Sequence, residues 1–390
     1  MNALSYKILY TGAFRFPDLD AAATRVQLVG KCLGSSEYDI EYLSWEAGDP
    51  SEIKEYSGFK YRNIGEFRVK DVNFLFRILG FLFIGRKTLK WLFLNKKFRD
   101  VNVFILYNPP SFFAFFMLVF SKIYGFKIVL DSTEWYESEH LPGGKYGIAA
   151  FENYIRMSFV YKMFRNVICI SDYLYEYYSN RPCVNLVFLP ALSDFCSDRY
   201  GSFVNSKISI VYAGNPGKKD KLKDVVLSLP ELNSFFDFEV VLDLYGPTYT
   251  YLEEILTDDE LDLTSKYFNC FGRVSQDKVI EAYSKASFSL LLRESKRYAL
   301  AGFPTKVVES WASGVPVITN AVGCLKNYCT KDNSIIVGED VIFDVKNALK
   351  GYDFNTYMNM REASFLTAKE FFSVGSNSSK VCFFMRKVLE

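Results

Sequence analysis

Short apolar runs of strand length, separated by stretches of helical periodicity, recur along the whole chain, and this repetition restricts the fold more than any other feature. They fall into two sets. The first comprises Lys7 to Gly12, Asp39 to Ser44, Val101 to Tyr107, Lys127 to Asp131, Asn166 to Ser171 and Asn185 to Leu189. The second comprises Ile208 to Gly214, Glu239 to Gly246, Tyr267 to Gly272, Ser287 to Leu292, Val315 to Thr319 and Ser334 to Val337. Ala191 to Ser206, polar and without apolar periodicity, is the natural linker. Such alternation is the signature of βαβ units. It predicts an α/β chain of two doubly wound, Rossmann-like parallel sheets, over residues 1–195 and 205–374, with a helix over about 375–390 packing back on the first.

Composition narrows the function. A length of 390 residues suits two cores, and 46 basic residues against 45 acidic ones leave a net charge of +1, so no global field draws nucleic acid. The 8 cysteines show no C-x-x-C spacing and have a single histidine beside them, which reads as buried thiols of a reducing compartment. Lys7 interrupts the N-terminus before an apolar run accumulates, so export is not expected. The longest uncharged run, Val101 to Ser121, has 21 residues but contains Asn108-Pro109-Pro110-Ser111. The prolines divide it into a strand, Val101 to Tyr107, and an apolar helix, Phe112 to Tyr124. The expected address is cytoplasmic.

The sharpest local signal runs from Gly302 to Thr319. Pro304 suits the first helical position and Gly314 the left-handed residue after the end, so a helix is predicted over Pro304 to Ser313, followed at once by the strand Val315 to Thr319. The helix start, Gly302-Phe303-Pro304-Thr305, offers amides and a positive dipole end to a diphosphate. Glu309, deeper in the helix, is placed to accept protons from two ribose hydroxyls.

This segment resembles the nucleotide-binding segment of GT-B glycosyltransferases, particularly glycosyltransferase family 4, whose signature is Glu, seven residues, then Glu before a Gly-x-Pro turn. The resemblance implies two domains facing across a cleft, and donor contacts at Gly302, Phe303, Pro304, Thr305, Lys306 and Glu309. The first glutamate of the pair is absent. Ala301 stands in its place, which removes the family's carboxylate beside the donor sugar and leaves the sugar unspecified.

Other strand ends converge on the same place. Gly214-Asn215-Pro216-Gly217-Lys218-Lys219-Asp220 follows a strand and opens a helix, a setting where amides and a lysine hold phosphate oxygens. By resemblance Gly214 and Lys219 are the matching glycine and base, with Lys218 as the substitute. Phe271-Gly272-Arg273-Val274-Ser275 resembles the family's Gly-x-Val turn, which puts Arg273 and Val274 at the base. Gly246 permits close backbone approach. Arg293 either clamps the diphosphate with a bidentate fork or pairs with a neighbouring carboxylate. In the N-terminal half, Gly12 begins the loop that the family places over the diphosphate, and Arg25 is either an acceptor or phosphate contact or a surface charge. Glu134, after the fourth strand, is the candidate acid facing the acceptor, and His140 reads as exposed. Lys219, Glu134 and Arg293 are the catalytic candidates.

Asp18-Leu19-Asp20 superficially supplies the Asp-x-Asp of a metal-dependent transferase, but it follows the first strand, whereas such a pair belongs on a later one. Lysines and a helix terminus already offer charge neutralisation, so no metal and no cofactor are expected. Val72 to Arg99 carries seven basic residues, no acids, six phenylalanines and Trp91. That bias suits either peripheral contact with an anionic membrane or a helix with one apolar and one solvated face. The chain is therefore expected to move a sugar from a nucleotide-diphosphate sugar to a glycan or lipid-linked acceptor, with retention implied by the resemblance. A sugar-nucleotide epimerase of the same architecture and a non-catalytic subunit are the alternatives.

Overall fold

The computed structural model describes residues 5–17, 20–34, 37–67, 74–182, 184–194, 207–216, 220–350 and 353–390. They form two compact units: Ala191–Ser376 is one, and the chain up to Pro190 together with Asn377–Glu390 is the other.

The first unit is built on one sheet in the order β3-β4-β2-β1-β5-β6-β7-β8. Its strands are β1 (Tyr6–Gly12), β2 (Tyr38–Ser44), β3 (Lys54–Tyr56), β4 (Phe59–Asn63), β5 (Val103–Tyr107), β6 (Lys127–Ser132), β7 (Asn166–Cys169) and β8 (Asn185–Phe188). Every pairing is parallel except that of β3 with β4. β3 and β4 are not among the expected strands. They form an edge hairpin with several residues half-exposed or exposed, so they lack the continuous apolar run that marks the interior strands. β5, Val-Phe-Ile-Leu-Tyr, is buried at every position, and burying each such side chain contributes roughly 1.5–3 kcal/mol. After it, Asn108 takes a positive φ of 38°, and the helix Ser111–Tyr124 starts one residue past Pro110, as the missing proline amides require.

Arg25 is neither a ligand contact nor a surface charge. Its side chain is 4% exposed and that of Asp131 0%. Nη2 and Nε donate to the Asp131 carboxylate at 2.8 and 3.0 Å, and Nη1 donates to the carbonyls of Leu189 and Pro190 at 3.1 Å each. The Tyr10 hydroxyl completes the set on Asp131 at 2.5 Å. The helix Ala21–Leu33 is thereby fixed to β1, β6 and the chain leaving β8. Phe384, Met385 and Val388 of the last helix, Val374–Leu389, are buried. Asn185 Nδ2 donates to the Phe384 carbonyl and Arg386 pairs with Glu37, which holds that helix in the first unit.

The second unit has six parallel strands in the order β11-β10-β9-β12-β13-β14. They are β9 (Lys207–Ala213), β10 (Glu239–Tyr245), β11 (Phe268–Gly272), β12 (Phe288–Leu291), β13 (Val317–Thr319) and β14 (Ser334–Ile336). Period-two alternation sends Ile208, Ile210 and Tyr212 of β9 into one core and Val211 and Ala213 into the other. Strand order reverses between β9 and β12, and ligands of open α/β sheets bind beyond the carboxyl ends at such a point.

Candidate functional site

Two glycines pave that point. Gly214, just past β9, has φ 122°, and a Cβ on it would lie 2.5 Å from Lys306 Cε. Gly246, just past β10, has φ 112°, and a Cβ there would run into the Gly214 carbonyl. Both conformations are ones that L side chains rarely adopt. The Gly214 amide donates to the Tyr245 carbonyl at 2.7 Å and the Gly246 amide to the Gly272 carbonyl at 2.6 Å. Their backbones thus form a shelf on which the Lys306 side chain lies.

Asp220 is the hub above the shelf. Its side chain is 2% exposed, and it accepts from Lys306 Nζ at 2.8 Å, Arg293 Nε at 2.7 Å and the Tyr212 hydroxyl at 2.6 Å. Lys306 Nζ also donates to Tyr212 Oη at 2.7 Å and sits 4.0 Å from that ring's centroid. Burial raises the pKa of Asp220, but Lys306 and Arg293 outweigh it and hold the carboxyl below its usual range. Burial pulls the Lys306 ammonium down to about 8 against the attraction of Asp220. Two cations share one carboxylate, so the group keeps an excess positive charge suited to an anion.

The helix carrying Lys306 spans Thr305–Ala312, with Pro304 at the N-cap, so that it starts one residue later than expected, and no side chain caps it. Val307, Val308 and Trp311 bury its apolar face. Trp311 Nε1 donates to the Asn333 carbonyl at 3.2 Å, and Ser310 Oγ to Ser289 Oγ at 2.6 Å, which fixes the helix on β12. Gly314 closes it at φ 65°. Glu309 is half-buried on this helix, and Gln276 Nε2 lies 3.5 Å from its Oε1. Burial pushes the Glu309 carboxyl up to about 7, with Lys306 opposing.

The structure thus brings together Gly214, Gly246, Arg293 and Lys306, with Gly302, Pro304, Thr305 and Glu309 on or beside the same helix. Arg293 takes the carboxylate-paired alternative. The Phe303 ring is buried against Tyr328 and Phe372, at centroid distances of 5.9 and 5.4 Å, which leaves its main chain for the expected donor contact. Arg273 is exposed and Val274 half-buried beyond β11. Lys218 and Lys219 lie outside the described residues, as does Asp18 of the rejected acidic pair. In the first unit Gly12 packs against the Tyr107 carbonyl, with no room for a Cβ. Glu134 is half-buried after β6, and His140 is half-buried, not exposed, in the turn Ser138–His140. Asp220, Tyr212 and Gln276 are absent from the expected site. Asp220 closes the lysine turn and a carboxylate there carries a signal, whereas Tyr212 reads as an ordinary core residue of β9.

Residues 207–349 match the family model described as glycosyl transferases group 1. The chain carries a group 1 glycosyltransferase domain. No curated protein matches the chain in sequence. Among solved structures it is similar to sucrose-phosphate synthase from Thermosynechococcus elongatus, at a TM-score of 0.73 and 14% identity, covering 98% of this chain and 99% of that one. It is similar to WaaG, a glycosyltransferase involved in lipopolysaccharide biosynthesis, at a TM-score of 0.65 and 12% identity over 96% and 98% of the two chains. A third likeness is to HepE from Anabaena, solved with UDP and glucose, at a TM-score of 0.66 and 10% identity over 98% and 100%. The fold is GT-B and the enzyme class is glycosyltransferase.

Proposed function

We propose that this glycosyltransferase binds a nucleotide-diphosphate sugar at the Asp220 hub and transfers the sugar, with retention, to a glycan or lipid-linked saccharide in surface polysaccharide or glycoconjugate synthesis. The observation that carries this reading is the placement of Lys306 and Arg293 on one buried carboxylate at the strand-order reversal, with Lys306 on the helix that carries Glu309. Lys306 uses two of its three protons on Tyr212 and Asp220. The third serves a phosphate oxygen. Negative charge develops there as the nucleotide diphosphate leaves, and cations already held in place stabilise it without reorganisation, so transfer proceeds without a metal. Lys219, with Lys218 as its substitute, adds charge from the turn after Gly214. Glu309 accepts the ribose hydroxyls, Arg273 and Val274 meet the base, and Glu134 serves the acceptor in the first unit. The likeness to HepE, solved with UDP and glucose, supports a nucleotide-sugar donor, and the likeness to WaaG supports a saccharide acceptor.

Membrane contact through 72–99 belongs to the same proposal. No helix among the described residues is long and apolar enough to cross a bilayer. The helices Phe74–Leu82 and Arg86–Leu94 expose Leu79, Phe81, Leu82, Phe93 and Leu94, and Phe83 is exposed between them. Arg86, Lys87 and Lys90 are exposed on the second helix. Lys97 is spent on Glu41. A peripheral, headgroup-level address at the inner face of the membrane follows from that mixture. Thermal melting against a panel of nucleotide sugars tests the donor reading. One of them should raise the melting temperature, and a flat response across the panel overturns it.

A further inference from the structure

Arg156 is a buried charge whose hydrogen-bonding capacity the packing of the first unit leaves partly unused. It begins a π-helical turn, Arg156–Val160, continuing the helix Ile148–Ile155, a register change found frequently at functional positions. The residue is 8% exposed. Arg25 has a buried carboxylate, whereas Arg156 forms no ion pair among the described residues. Its guanidinium donates from Nη2 to Asn153 Oδ1 at 2.9 Å, and its buried Nε has no partner. Glu152 is engaged elsewhere, accepting from the Ser111 amide and hydroxyl at 2.9 and 3.0 Å. Burial disfavours the charge, but Tyr161, Glu152 and Glu134 act on it through their fields and hold the guanidinium above its ordinary pKa.

The surroundings orient this guanidinium without a direct ion pair among the described residues. The Tyr136 and Tyr161 rings lie 5.8 and 5.7 Å from its central carbon. Tyr161 is fixed by its hydroxyl bond to the Pro109 carbonyl at 3.0 Å, and Asn153 by donating to the Tyr136 carbonyl at 3.2 Å. Pro109 follows β5 and Tyr136 follows β6, so the group sits at the carboxyl ends of the sheet, the side on which open α/β sheets take ligands. A buried guanidinium held by aromatic faces and one amide, with a donor left over and no ion pair among the described residues, can take an anion.

We propose that Arg156 is an oxyanion subsite for the acceptor, taking a phosphate ester or carboxylate carried by the acceptor saccharide. The word acceptor rests on the transferase reading, but the anion binding does not. The test uses the full chain with UDP saturating the donor site, at constant ionic strength, and follows melting temperature against inorganic phosphate in one arm and glucuronate in the other. At least one anion should stabilise the wild type, and the arm that responds distinguishes the two sources. Arg156→Met should lose that response, and Arg156→Lys should need about 10-fold more anion or higher, because it keeps the charge but loses the planar fork. An equal anion response in Arg156→Met makes the residue structural and overturns the proposal. If Arg156→Met does not fold, an unchanged anion response in Arg156→Lys overturns it. In turnover, KM for an acidic acceptor should rise with donor KM unchanged. A wild type that transfers no sugar but still binds the anion refutes the transferase reading alone.

Discussion

Glu309→Gln separates binding from stability, because the two should move in opposite directions. The carboxyl of Glu309 titrates at about 7 in the folded chain, raised by burial from an ordinary value of 4.5. The folded pKa lies above the unfolded one, so the ionised form destabilises the fold above pH 7, and that cost disappears as pH falls through 7 toward 4.5. Replacing the carboxyl with an amide should therefore stabilise the free protein at pH 8, by at most about 3 kcal/mol, with no gain near pH 4.5. Nucleotide binding should go the other way. Ribose hydroxyls donating to a carboxylate are worth roughly 1.5–3 kcal/mol each, against roughly 0.5–1.5 for a neutral acceptor. Two such bonds make the variant weaker by about 2 kcal/mol, or roughly 30-fold, at pH 8. Below pH 7 the wild type must release a proton to bind, so its affinity should fall about tenfold per pH unit relative to the variant. Calorimetric titration with UDP from pH 5.5 to 8.5, on both proteins, reads all of this, since the nucleotide's own ionisation is common to both. Parallel pH profiles, or equal affinity at pH 8, would refute the assignment of Glu309 to the ribose.

Asp220→Asn leaves Lys306 and Arg293 without their shared counter-charge and should destabilise the chain by about 3–5 kcal/mol, measured by urea unfolding. Asp220 raises the Lys306 pKa, so the same variant should lose activity at lower pH than the wild type as Lys306 deprotonates, and an unmoved alkaline limb would remove Lys306 from the reaction. Chelation should leave transfer intact, and loss of activity that manganese restores would contradict charge neutralisation by protein groups. Changing Arg86, Lys87 and Lys90 together to Glu should release the protein from anionic liposomes, since each basic residue near such a surface contributes about 1 kcal/mol. Equal sedimentation of the two proteins would return the segment to ordinary surface.

The second sheet was legible strand by strand because its interior strands are short apolar runs and glycines close β9, β10 and the edge strand β11, at Gly214, Gly246 and Gly272. The hairpin of β3 and β4 was not, because an edge exposed to solvent carries no such run. Pro304 and Gly314 marked the helix of the site to within a residue, since each acts through local backbone conformation. Asp220, although it closes the legible lysine turn, and Arg156 owe their roles to contacts that the sequence does not show, since Lys306 and Arg293 reach Asp220 from far along the chain and Arg156 lacks an ion pair among the described residues. Phe303 shows that a residue inside such a motif can also serve the core through its ring.

The central claim is tested most directly by release of a nucleoside diphosphate from the nucleotide sugar that stabilises the chain, in the presence of lipid-extract acceptors, for the wild type and Lys306→Met. The account predicts acceptor-dependent release by the wild type and a fall in kcat of the variant larger than any change in donor affinity, because the charge counts most as the diphosphate departs. Wild-type release that does not depend on acceptor, or a Lys306→Met variant with unchanged kcat, would contradict it.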